Sequence, residues 1–169
     1  MAKSRILFVC LGNICRSPLA HGIMLKLVDE RGRGGDVTVD SCGTGGWHIG
    51  EPAHRGSLAA ARANGVDLSF HRARKFSTDD WSRFDWFVAM DRDNLAVLEQ
   101  LSGGNKGRIV LLREYEPKTA MPKSLDVPDP YYSGNFVEVY SIVERCCKNL
   151  LEAVEEELPA DRTAGRKKS

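Results

Sequence analysis

The sequence predicts an α/β fold built on a doubly wound, mainly parallel sheet. Two observations carry this: apolar runs alternate with amphipathic segments along the chain, and the first run empties into a Gly-containing turn that opens a helix. Ile6-Leu7-Phe8-Val9 is apolar without a break, as a strand covered on both faces must be. Behind it, Leu19, Ile23, Leu27 and Val28 recur at helical spacing. Val37-Thr38-Val39 is β-branched and half polar, which suits an edge strand. Pro52 is expected to open an alanine-rich helix through Ser57-Leu58-Ala59-Ala60-Ala61 that stops near Gly65. Trp86-Phe87-Val88-Ala89-Met90 reads as a buried strand, Asp91 to Leu101 as a helix closed by Gly103-Gly104, and Ile109-Val110-Leu111-Leu112 as another strand. Phe136, Val139, Tyr140, Val143, Cys147, Leu150, Leu151 and Val154 form the apolar stripe of a closing helix from about residue 134 to 158. Strands and helices in this alternation are expected as four parallel strands in the flavodoxin-like order 2-1-3-4, with helices on both faces.

The stretch 113–130, interrupted by Pro117, Pro122 and Pro128, has no periodicity and is long for a connection, which marks it as a functional loop. A length of 169 residues suits one domain, expected over residues 1–158. The polar tail 159–169, PADRTAGRKKS, is expected to be disordered. Lys+Arg 24 against Asp+Glu 23 gives a net charge of +1, so neither a nucleic-acid partner nor bulk disorder is expected. With no apolar run long enough for a bilayer and no signal-peptide core, the chain is expected in the cytoplasm, away from membranes. Its five cysteines do not form a secreted disulfide framework and are expected as free thiols, with no role assigned to Cys42, Cys146 and Cys147.

The chemistry lies between Cys10 and Pro18, in CLGNICRSP. Gly12 and Asn13 tolerate positive φ, so the short loop can curl until its N–H groups converge into an anion nest. Ser17 and Pro18 suit an N-cap and a first helical residue, which aims the positive end of the helix dipole into the same cavity. Arg16 adds a planar fork for two phosphate oxygens. A sulfur at a helix start beside an arginine is held as thiolate, so Cys10 is poised for in-line attack on phosphorus. Ser17 would stabilise that sulfur as a leaving group in a second step.

Expulsion of an aryl oxygen needs a proton, and Asp129, between Pro128 and Pro130, is the best placed donor, with Asp126 as its rival. Trp47, Tyr131 and Tyr132 would wall a slot for an aromatic ring. The loop lacks the Gly-Lys-Ser/Thr ending of a nucleotide-binding loop, and its cysteines lack zinc or iron–sulfur spacing, so no metal or cofactor is expected.

CLGNICRSP, AMDRDNL at 89–95 and DPYY at 129–132 together resemble the low-molecular-weight protein tyrosine phosphatases, over roughly residues 4–158. The resemblance implies a metal-independent phosphoric monoester hydrolase acting on tyrosine-phosphorylated proteins through a phosphocysteine. It implies Cys10 as nucleophile, Arg16 as phosphate clamp, Asp129 as general acid then base, Ser17 as thiolate partner, and a phosphate loop made of Leu11, Gly12, Asn13, Ile14, Cys15 and Ser17. It implies that Ser41 and His71 hold Asn13 in its strained conformation, and that Cys15 is the redox partner of Cys10 through a reversible disulfide. A monomer or weak dimer is expected. Asp91 and Asp93 are expected near the cavity, where they would favour particular residues flanking the phosphotyrosine.

Two relatives of the same fold stand as alternatives. Phosphoarginine phosphatases resemble CTGNTCRSP, with threonine where this chain has Ile14, and isoleucine suits an aromatic substrate instead. Thioredoxin-coupled arsenate reductases need two further cysteines after the third strand, and residues 76–100 contain none.

Overall fold

In a computed structural model, which describes residues 3–104, 107–120 and 122–159, four parallel strands form one sheet in the order β2-β1-β3-β4. These are β1 (Ser4–Cys10), β2 (Val37–Gly43), β3 (Trp86–Ala89) and β4 (Arg108–Leu111). The helices are α1 (Arg16–Glu30), α2 (Arg55–Ala63), α3 (Asp80–Arg83), α4 (Arg92–Ser102), α5 (Pro130–Ser133) and α6 (Phe136–Glu156). The expected order and parallel sense are present. Of the expected tail, residues 160–169 lie outside the described residues.

The unbroken apolar runs follow from burial on both faces. Ile6, Phe8, Trp86 and Val88 point into a core shared with α1, α2 and α6, whereas Leu7, Val9, Phe87 and Ala89 point into a second core with Leu98 of α4 and Trp81 of α3. Register is continuous from Ser4 opposite Val37 to Cys10 opposite Gly43, so β1 and β2 deliver their carboxyl ends side by side. Among the described residues no helix is long and apolar enough to cross a membrane.

Several boundaries differ from expectation. α1 starts at Arg16, with Cys15 at the cap position and no capping side chain; Ser17 and Pro18 lie inside the first turn. Pro18 loses nothing there, because the first turn's N–H groups have no intrahelical partner. α2 begins at Arg55 rather than Pro52, because the His54 side chain accepts from Gly56 N–H and sets the start. Asp91 caps α4 through a capping box with Asn94, so the helix proper begins one residue later. β4 starts at Arg108, and Leu112 opens a 3-10 turn (Leu112–Tyr115) instead of ending the strand.

The segment from this turn to Asp129 is anchored near both of its ends. Glu116 pairs with Arg113 at 2.9 Å and with Arg145 of α6 at 2.5 Å. Val127 N–H donates to Met90 O at 2.8 Å. The strap thereby carries Val127 and Asp129 to the carboxyl end of β1.

Candidate active site

Beyond Cys10 the chain turns so tightly that a neighbour must be a glycine. A Cβ on Gly43, at the end of β2, would stand 2.7 Å from Leu11 O and 3.2 Å from Asn13 N. The loop's carbonyls are tied outward to the body: those of Cys10 and Leu11 accept from Thr44 and Gly45 N–H, and that of Ile14 from His54 N–H. The Asn13 carbonyl accepts from His71 Nε2 at 2.7 Å, and the Cys15 carbonyl from the Ser57 hydroxyl at 3.0 Å. With the oxygens turned out, the N–H edges turn in, and Asn13 N–H donates to Cys10 Sγ at 3.3 Å.

Of the two residues expected at positive φ, only Asn13 adopts it, at 58°. Gly12 is needed for another reason: a Cβ there would meet the ring of His48 at 3.0 Å. Asn13 holds its strained conformation through its side chain. Nδ2 donates to Ser17 Oγ at 2.8 Å and Ser41 Oγ at 3.1 Å, while Oδ1 accepts from Arg74 N–H at 3.0 Å. Ser17 Oγ therefore has its own proton to give, and Cys10 Sγ stands 2.9 Å away. Ser41 Oγ likewise pairs with His21 Nδ1 at 3.1 Å. Burial pushes His21 down to about 4, against Asp40 and helped by His71 and Arg74. Burial also lowers His71, so both rings are neutral at pH 7.

Arg16 is 2% exposed. Its Nη1 donates to Asp91 Oδ2 at 2.6 Å and Val127 O at 3.0 Å, and its Nη2 lies 3.6 Å from Asp129 Oδ2. Burial works against its charge but is outweighed by Cys10, Asp91 and Asp129, which raise its pKa above the ordinary arginine value. Its Nε is buried without a partner, a donor that an oxyanion at the loop would satisfy. Asp91 thus anchors the guanidinium from the N-cap of α4 instead of waiting for a flanking residue of a substrate, and Asp93 is exposed on that helix and does not line the cleft.

These groups meet in a cleft of about 300 Å³ with Cys10, Arg16 and Asp129 in its lining, together with Leu11, Ile14 and Cys15 from the loop. Trp47, Tyr131 and Tyr132 form its rim, and Trp47 and Tyr132 are 71% and 83% exposed. Asp129 caps α5, its Oδ1 accepting from Tyr131 N–H at 3.0 Å, which leaves Oδ2 toward Arg16. Asp126 is turned away, its Oδ1 accepting from Arg92 N–H at 2.8 Å. Cys15 is buried beside Cys10, and burial, with Cys10 and Asp129 adding and Arg16 opposing, pushes its thiol up to about 12. Ser17, Ser41 and His71 lie behind the loop rather than in the cleft.

Sequence reasoning missed Gly43, Arg74, His21 and His48. The first two act on Asn13 from other strands and loops, so no local spacing points to them; a chemistry-bearing histidine directly after Trp47 was the one readable signal. Among the described residues no group of three or more His, Cys, Asp or Glu side chains is placed to hold a metal ion.

Residues 5–160 match the model of a family described as low molecular weight phosphotyrosine protein phosphatase. The low molecular weight protein-tyrosine-phosphatase YfkJ of Bacillus subtilis is 41% identical over 153 residues, covering 90% of this chain and 96% of the relative. A protein of the same description from Streptomyces coelicolor is 42% identical over 158 residues, covering 91% and 95%. The crystal structure of YfkJ superposes with a TM-score of 0.87 over 94% of this chain and 99% of its own. That of DARP, a Drosophila arginine phosphatase, does so with 0.80 at 30% identity, over 90% and 99%. Since the family model spans residues 5–160 and the relatives match at about 40% identity over nearly the full length, the chain belongs to the low-molecular-weight protein tyrosine phosphatase family.

Proposed function

We propose that the chain hydrolyses phosphotyrosine in proteins in two steps through a phosphocysteine. One observation carries the reading: Cys10 Sγ, the unpartnered Nε of Arg16 and the Asp129 carboxylate converge in a single aromatic-rimmed cleft. In the first step an S–P bond forms as the P–O bond to the tyrosine breaks, and Asp129 gives its proton to the departing phenolic oxygen. In the second step Asp129 takes a proton from water as its oxygen attacks phosphorus. The S–P bond breaks, and the thiolate leaves toward the Ser17 hydroxyl 2.9 Å away. Arg16, anchored by Asp91 and Val127 O, offers its remaining N–H groups to the equatorial phosphate oxygens in both steps. Metal and cofactor have no part in this scheme.

Peroxide would oxidise Cys10 to a sulfenic acid, and the Cys15 thiol would displace water from it to close a disulfide, reversible by thiols. Wild type is expected to regain activity with a dithiol after peroxide treatment, and a Cys15→Ser variant to stay inactive; equal recovery removes Cys15 from the redox role.

Phosphoarginine is the second reading, favoured by the likeness to the Drosophila arginine phosphatase. Against it, Ile14 in the cleft lining offers no acceptor to a guanidinium, whereas Trp47, Tyr131 and Tyr132 offer ring faces to an aryl group. Hydrolysis of phosphotyrosine and phosphoarginine peptides in the presence of a chelator separates the two. Phosphotyrosine is expected to be cleaved, with all activity lost in Cys10→Ser and roughly a hundredfold or more lost in Asp129→Ala. A fully active Cys10→Ser enzyme overturns the mechanism, and normal hydrolysis by Asp129→Ala moves the acid elsewhere.

A further inference from the structure

His48 and Glu51, on the turn after Trp47, have no part in the scheme above, yet His48 lines the cleft. His48 Nδ1 lies 2.8 Å from Glu51 Oε2. The ring packs on the phosphate loop, its Cδ2 3.0 Å and its Nε2 3.7 Å from where a Cβ on Gly12 would stand. With Nδ1–H committed to the carboxylate, Nε2 is the ring's remaining polar atom, and it has no protein partner among the described residues.

We propose that His48, oriented by Glu51, is a specificity-determining contact that donates from Nε2 to the carboxylate of an acidic residue next to the phosphotyrosine. This rests on the phosphotyrosine reading. Arg16 cannot serve a second acidic group, because Asp91, Val127 O and the phosphate use its donors. An imidazolium with a carboxylate behind it presents its N–H outward, and that hydrogen bond is charge-assisted. The charged and titratable groups facing His48 are Glu51 from its own turn and Tyr131 from α5, with ring centroids 6.2 Å apart. Cys10, Arg16 and Asp129 share the cleft. A neutral ring turns a lone pair toward the same position and repels a carboxylate. Acidic neighbours are therefore favoured by the protonated ring and not by the neutral one.

The test measures kcat/KM on phosphotyrosine peptides carrying Glu or Gln at each flanking position in turn, at about pH 5.5 and about pH 8. At one position or more the Glu/Gln ratio is expected to be about three to five at acid pH, the size of a part-exposed charge pair, and about one at alkaline pH. His48→Gln should bring it to about one throughout, and Glu51→Gln, which removes the carboxylate that orients the ring, should lower it at acid pH. Because the ratio compares two substrates on one enzyme, loss of folded protein cancels. A ratio of one at every position in wild type, a ratio untouched by His48→Gln, or a preference that grows with pH would each overturn the proposal. Failure of the phosphotyrosine reading is distinct, since no peptide would then show Cys10-dependent hydrolysis.

Discussion

Asn13, at φ 58° the one non-glycine residue with positive φ among the described residues, commits its side chain to Ser17, Ser41 and Arg74. Each of these buried bonds contributes about 0.5–1.5 kcal/mol, and an alanine at left-handed φ costs about 1–2 kcal/mol more. Asn13→Ala is therefore expected to lower unfolding free energy by about 3–6 kcal/mol in urea denaturation. Asn13→Gly, free of the backbone strain, should lose less. Both variants unfix the Ser17 hydroxyl, so phosphocysteine should accumulate in rapid-quench experiments; unchanged breakdown of that intermediate would separate Ser17 from Asn13. That Cys10, Arg16 and Asp129 come together in one cleft was legible in the sequence because a strand, a helix start and flanking prolines place them locally. Gly12 was singled out for the wrong reason, since its value lies in the ring of His48 at close range rather than in its own φ. Gly43 and Arg74 were hidden because they act across the fold.

The strands and long helices were legible where burial writes a period into the sequence, as in β1, covered on both faces, and in the stripe of α6. α3 and α5 have four residues each, too few to show a period, and only Pro130 at the start of α5 hinted at the second. The strap from the 3-10 turn to Asp129 reads as loop in any periodicity, and what shapes it is one carboxylate. Glu116 has a side chain 4% exposed and receives Arg113 and Arg145, while Asn149 of α6 donates to Tyr115 O at 2.8 Å. Burial opposes the Glu116 charge, but the two arginines prevail and lower its pKa. Removing one partner of a buried pair costs about 3–5 kcal/mol, which the 39% exposure of Arg145 reduces here. Glu116→Ala is expected to destabilise by about 2–3 kcal/mol in urea melts. It should also raise KM more than a surface control, because the strap that carries Val127 and Asp129 loses its anchor. A melt shift with KM unchanged would show that the strap is held in place by Asp126 and Val127 without Glu116.

Across the whole molecule the thiols other than Cys10 are spread through the apolar clusters: Cys42 on one face of the sheet, Cys146 and Cys147 on the other, and Cys15 beneath the loop. Burial, the largest cause in each case, pushes Cys15 and Cys146 up to about 12 and raises Cys42 and Cys147 well above the ordinary thiol value of 9.0. The folded chain holds these protons where the unfolded chain releases them. Their contribution is thus complete below pH 9.0 and is lost as pH rises toward about 12. Histidine gives the opposite slope on the acid side: His21, held neutral down to about 4 against an ordinary 6.5, supports the fold above that ordinary value and ceases to as pH falls toward 4. Stability should therefore crest near neutrality. Each retained thiol proton contributes about 1.4 kcal/mol per pH unit to the alkaline decline. Urea unfolding followed from pH 8 to 11 tests this, with Cys15→Ala and Cys146→Ala as variants that each remove one such proton. Both should start less stable than wild type at pH 8 and decline less steeply above pH 9.0, by about 1.4 kcal/mol per unit. Slopes identical to wild type would mean that lysines and tyrosines, not buried thiols, govern the alkaline limit.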